Sequence, residues 1–168
     1  MSLLKDLLQS ALKTALSGIE SAAQQSSSQQ ASAPAPKPAA SSAVRREEDC
    51  PAYFREILKT EFPQYEVKEK VPVTDLAGYA NDSFQLYKTR PYQAYKAEWG
   101  QPYTFVLQQG GQPKGIVMLG GGHTHDSNVK YLIARMYAKK MGLPYINFYT
   151  QMPNERDYVI SRIHRFMG

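Results

Sequence analysis

Cysteine is almost missing from this chain: Cys50 is the single one among 168 residues. An internal disulfide is therefore excluded, which fits a reducing compartment and makes the cytoplasm the expected location. Long apolar runs are missing too. None approaches the ~20 residues needed to span a bilayer, so no transmembrane segment is expected. Lys5, Asp6 and Lys13 interrupt the apolar face of the first residues, which is not the pattern of a secretory leader. Histidine is scarce, with three in all, so a site built on several imidazoles has little to draw on. A nucleotide-binding glycine loop is absent, since no Gly-Lys-Ser/Thr follows Gly110-Gly111. Charge of one sign does not dominate. Five of the 20 Lys/Arg and five of the 15 Asp/Glu lie in residues 1–49, so the whole net charge of +5 falls in 50–168. A mildly basic domain is compatible with nucleic acid without demanding it.

What is present divides into three segments. In residues 1–25, Leu4, Leu8, Ala11, Leu12, Ala15, Leu16 and Ile19 recur at three- and four-residue steps, which predicts an amphipathic helix capped by Ser2. Its stripe needs a partner, and self-association or docking to another protein is the plain reading. Its charges nearly cancel, which disfavours a membrane surface. Residues 26–49 are rich in Ser, Gln, Ala and Pro and poor in large apolar side chains. Such a segment cannot bury enough surface to offset its ordering entropy, so it reads as a disordered linker. Residues 50–168 hold the apolar periodicities of a folded domain.

Within that domain, "PAYFREILKTEF" predicts a helix with Phe54, Ile57, Leu58 and Phe62 on one face. "YEVKEKVPV" alternates and predicts a half-exposed strand closed by Pro72. Residues 76–100 are rich in Tyr and basic side chains, with a helix expected near Phe84–Tyr95 and a break at Pro91. "YTFVLQQGGQPKGIVML" predicts two strands around a turn at Gly110-Gly111. "SNVKYLIARMYAKKMG" predicts a helix capped by Asp126 or Ser127, with Val129, Ile133, Met136, Tyr137 and Met141 as its stripe and Gly142 as its end. "LPYINFYT" predicts a central strand. "NERDYVISRIHRFMG" predicts a final helix capped by Asn154, with Tyr158, Val159, Ile163 and Phe166 inside. The crossover helix makes the strands before and after it parallel. The expected fold class is α/β: a three-layer sandwich with a mixed sheet, preceded by the tethered helix.

This order, with "TFVLQQGGQPKGIVMLGGGH", then Asp126, Lys130 and "GLPYINFY", resembles the PD-(D/E)xK nuclease-like, or restriction-endonuclease-like, superfamily. The resemblance covers residues 50–168. It implies a metal-dependent phosphodiesterase site made by an Asp on one hairpin strand, a Glu on the next and a Lys two residues later. Here those positions fall at Thr104, Val117 and Leu119. None of the three binds Mg²⁺ or moves a proton. The resemblance therefore implies a degenerate member without the catalytic carboxylates, with no catalytic residue and no metal expected.

His123, Asp126 and Lys130 remain as the rim of that site. They read either as a turn and helix cap, with Gly120–Gly122 supplying positive φ, or as a remnant anion pocket at a helix N-terminus. His123, His125 and Asp126 have the spacing of metal ligands and give an alternative, a hydrolase with a rebuilt divalent-metal site. "YKTRPYQAYKAEW" interleaves Lys88, Arg90 and Lys96 with Tyr92, Tyr95 and Trp99. That composition suits base stacking and phosphate contact, or a tyrosine-packed helix and loop. Cys50, beside Glu48 and Asp49, is a poor thiolate. The expectation is a catalytically inactive domain that acts by binding, with nucleic acid as its candidate partner; a protein-interaction module working through the N-terminal helix is the further alternative.

Overall fold

In the computed structural model, residues 43–85 and 93–168 are described. The helix expected over 1–25, most of the linker, and Lys88, Arg90 and Tyr92 lie outside them. A short 3-10 turn, Glu47–Asp49, leads into α1 (Cys50–Glu61). Pro51 occupies its first turn, where a backbone N–H has no partner to lose. Phe54, Ile57 and Leu58 follow at helical spacing and are fully buried. Then come β1 (Glu66–Val71), α2 (Val73–Ala77), β2 (Asn81–Phe84), β3 (Gln93–Lys96) and a 3-10 turn at Ala97–Trp99. The chain ends with β4 (Tyr103–Gln109), β5 (Gln112–Gly120), α3 (Gly122–Ser127), α4 (Val129–Lys140), β6 (Tyr145–Tyr149) and α5 (Arg156–Met167).

Four strands form one mixed sheet in the order β1-β4-β5-β6. β4 is antiparallel to both β1 and β5, while β6 runs parallel to β5. The antiparallel turn is tight because Gly110 and Gly111 both adopt positive φ, 60° and 75°. The parallel pair needs a crossover, which α3 and α4 supply. At the end of α4, Gly142 takes φ 70°. Its N–H donates to Lys139 O and that of Leu143 to Ala138 O, a Schellman closure.

Helices cover both faces of the sheet. α1 and α5 pack Phe54, Leu58, Val159 and Ile163 on Phe105, Val117, Ile146 and Phe148. On the other face, Ile133, Ala134 and Tyr137 of α4 pack with Val73 and Ala97 on Val106, Ile116 and Met118. The α/β class and the mixed sheet are as expected from the sequence.

Six local expectations differ. In place of a helix near 84–95, β2 and β3 pair as a separate antiparallel ribbon. Tertiary contacts decide this: the Phe84 ring stands edge-on to Tyr137 at 5.3 Å, and Tyr137 Oη lies 2.9 Å from Ala80 O and 2.7 Å from Tyr95 O. The strand at 145–149 is an edge strand among the described residues, apolar because helices cover both its faces. Asn128, not Asp126 or Ser127, caps α4, accepting from Lys130 N at 3.0 Å. Leu132, Ala134 and Ala138 are buried in α4 while Val129 is exposed. Asn154 does not cap α5: it sits at φ 48° and its amide donates to Tyr149 O and Met152 O. Tyr158 and Phe166 face solvent instead of the core.

Tyr137 is the pin between the ribbon and α4. Tyr137→Phe keeps the ring and removes the hydroxyl, and should cost about 1–2 kcal/mol in urea unfolding. Amide exchange should rise at β2 and β3 and stay unchanged at β4 and β5.

Candidate functional site

The carboxylate positions of the nuclease pattern occupy the start of β4 and the end of β5. Thr104 Oγ1 accepts from Leu119 N at 3.1 Å, so the hydroxyl ties the two strands together. Val117 faces Phe105 across the pair and is fully buried among apolar side chains. Thr104 and Leu119 line one cavity of about 360 Å³, together with Glu47, Cys50, Pro51, Lys70, Gln101, Pro102 and Thr150. Glu47 is its one carboxylate and Lys70 its one cation. A single carboxylate beside a threonine and a leucine cannot make the oxygen cage that a hard divalent ion takes. Cys50 is 2% exposed, its thiol pKa is pushed up chiefly by burial, and its Sγ–H donates to Arg46 O. Burial and this bond both disfavour the thiolate. Lys70 holds φ 51° inside β1, a conformation a non-glycine residue adopts at a cost. Nothing in its sequence neighbourhood signals that.

The glycine-histidine turn is built differently from the expectation. Gly120–Gly122 do not use positive φ; Gly121 is extended at φ −66°, ψ 156°. Gly120 is required by close approach instead. A Cβ there would stand 2.7 Å from Thr124 Oγ1 and 3.0 Å from Tyr131 Cε1. Against this glycine α3 turns His125 inward, 3% exposed, between Tyr131 and Tyr149. Its Nε2 lies 3.1 Å from Phe148 O, so Nε2–H is the donor and Nδ1 carries the lone pair. That Nδ1 is buried without a partner, and burial pushes the imidazole pKa down.

His123 faces solvent, held by Ser127 Oγ at 3.0 Å from its Nδ1. Asp126 and Lys130 are exposed as well. The turn therefore separates its two histidines. Among the described residues no group of three His, Cys, Asp or Glu is arranged to hold a metal ion.

Two candidates from distant stretches do meet. Tyr95 and Lys130 line a groove of about 840 Å³, along with Gln93, Glu98, Trp99, Gly100, Gln101, Pro102 and Ile133 among others; Glu98 is its one carboxylate and Lys130 its one cation. Gln101 and Pro102 belong to both this groove and the smaller cavity, so the two hollows adjoin. Gln101 N–H donates to Lys130 O, which fastens the groove floor to α4. Lys96 does not line the groove; its Nζ lies 5.6 Å from the Trp99 ring and 3.8 Å from the Glu98 carboxylate. Trp99 is 48% exposed. Gln93 and Gln101 were not singled out by the sequence, because an isolated glutamine carries no pattern.

No family model, curated protein or solved structure matches the chain.

Burial of His125 makes stability depend on pH. Its folded pKa lies below the ordinary 6.5. As pH falls through that value the unfolded chain takes up a proton that the folded imidazole refuses, so acid favours unfolding. The thermal midpoint should fall between about pH 8 and about pH 5. His125→Gln keeps a donor for Phe148 O and does not titrate, so its midpoint should depend less on pH over the same interval. Equal slopes for the two proteins would remove His125 as the cause.

Proposed function

We propose that the domain at 50–168 is a nuclease-like fold of the restriction-endonuclease type that has lost catalysis and acts by binding nucleic acid in the groove beside its former active centre. The element order supports the fold assignment: a helix, three antiparallel strands, a crossover helix and a parallel fourth strand, with the β2–β3 ribbon as an insertion.

The observation that carries the reading is the shared wall of the two hollows. Thr104 and Leu119, the positions the resemblance assigns to the metal-binding Asp and the Lys, line one cavity whose single carboxylate is Glu47. That cavity adjoins a groove with Tyr95, Trp99 and Lys130 in its lining. Bases stack on the exposed Trp99 and the half-buried Tyr95, and a phosphate meets Lys130. Stacking tolerates any base, so binding is strong in charge dependence and weak in sequence. A hydrolase with a divalent metal on His123, His125 and Asp126 has no comparable support, because His125 faces the core.

Fluorescence anisotropy with labelled single-stranded DNA and RNA of about twelve nucleotides tests the reading. Affinity should fall several-fold or more between about 50 mM and about 200 mM salt. Trp99→Ala should weaken binding by about 1–3 kcal/mol, and Lys130→Ala should lower the salt slope by about one. Mg²⁺ or Mn²⁺ should leave the oligonucleotide intact. Cleavage that needs the metal, or no binding at low salt, would sink the proposal.

A further inference from the structure

The two edges of the sheet are not alike. β1 carries Glu66, Lys68, Glu69 and Lys70, and Lys70 breaks the strand's regular backbone with its positive φ. Charge and irregularity of this kind keep another strand from pairing. β6 reads Tyr-Ile-Asn-Phe-Tyr, with no charge and no proline. Thr150 N–H donates to Gly120 O, and Pro144 O accepts from Ile116 N. Even-numbered residues of β6 thus bond to β5, and odd-numbered ones turn their backbone groups outward. Tyr149 O is taken by Met152 N and Asn154 Nδ2. The N–H and C=O of Tyr145 and Asn147 have no partner among the described residues. Among the described residues they form a row of free donors and acceptors at strand spacing.

Beside this edge lies a hollow of about 590 Å³ between β6 and α5, lined by Phe148, Tyr149, Met152, Tyr158 and Arg162 among others, with Glu155 as its one carboxylate and Arg162 as its one cation. Tyr158 and Met152 are more than half exposed. Arg162 lies over the Phe148 and Phe166 rings at 5.6 and 5.1 Å. Among the described residues its one hydrogen bond, 3.3 Å to Asn147 Oδ1, is to a neutral amide, and its Nε is buried without a partner. No ion pair engages this guanidinium among the described residues.

We propose that β6 and the hollow beside it receive an extended peptide of alternating apolar and acidic residues, which adds as a fifth strand and places a carboxylate on Arg162. The free backbone row selects an extended chain, and the hollow takes an apolar side chain. The unpaired guanidinium selects the acidic residue, since a bidentate carboxylate is the partner its geometry matches. The same group argues against a second copy of the protein. β6 has no carboxylate of its own, and two-fold pairing of β6 would bring two Arg162 side chains to one seam. This site is separate from the nucleic-acid groove and does not depend on it.

The test is selection from a phage-displayed library of random peptides of about seven residues on the full chain. Enriched sequences should alternate apolar residues with at least one Asp or Glu. Arg162→Gln should weaken the best peptide about tenfold or more and abolish its preference for Glu over Lys. Tyr158→Glu, at an exposed position, should weaken it comparably without loss of thermal stability. Bound peptide should slow amide exchange at Tyr145, Asn147 and Tyr149. Failure to enrich, enrichment indifferent to both substitutions, or protection of these amides by a single-stranded oligonucleotide in place of peptide would overturn the proposal. So would a dimer in sedimentation that protects the same amides.

Discussion

Strand β5 has to bury both of its faces at once. Ile116, Val117, Met118 and Leu119 are consecutive, apolar and buried, and they alternate between two separate cores. A strand of that kind is stable only between two layers of helices with a strand on each side. β4 is joined to it by the Gly110-Gly111 turn. β6 reaches it in parallel through α3 and α4. α1 and α5 close one face, and α4 closes the other. The same constraint sets the chemistry. A carboxylate at Val117 would be placed among Phe105, Ile146 and Phe148 and would need a partner there. Apolar residues at that position make the sheet centre self-sufficient, and Val117 offers no ligand atom there.

Much of this was legible in the sequence where periodicity was strong. The apolar run of β5, the twin glycines of its turn and the helical spacing of Phe54, Ile57 and Leu58 each specify an element locally. Where tertiary contact decided, local reading failed. Residues 81–84 and 93–96 have no helix-breaking signal that separates ribbon from helix; the Tyr137 hydroxyl, bonded to Ala80 O and Tyr95 O, does. β6 looks central because it is apolar, yet its cover comes from helices and not from a further strand. Asn154 stands in a sequence position typical of a cap and braces the preceding loop instead.

The candidate site divides in the same way. The absence of carboxylates at Thr104, Val117 and Leu119 could be read directly. The meeting of Tyr95 with Lys130 could not, because 35 positions separate them and only the packing of the Ala97–Trp99 turn on α4 brings them to one groove. The two histidines of the glycine turn were indistinguishable on paper. His125 sits in the interior beside Gly120, Tyr131 and Tyr149, while His123 is exposed. The fold thereby leaves His123 and Asp126 exposed and His125 buried.

The proposed binding of nucleic acid rests on a groove lined by Tyr95, Trp99, Lys130 and Glu98 beside a cavity with one carboxylate, Glu47. The most direct test is two-dimensional NMR of the full chain, titrated with a single-stranded oligonucleotide of about twelve nucleotides in the presence of Mg²⁺. The account predicts shifts confined to residues 93–102 and 129–133, with the oligonucleotide recovered intact. Shifts elsewhere, no shifts at all, or a cleaved oligonucleotide would contradict it.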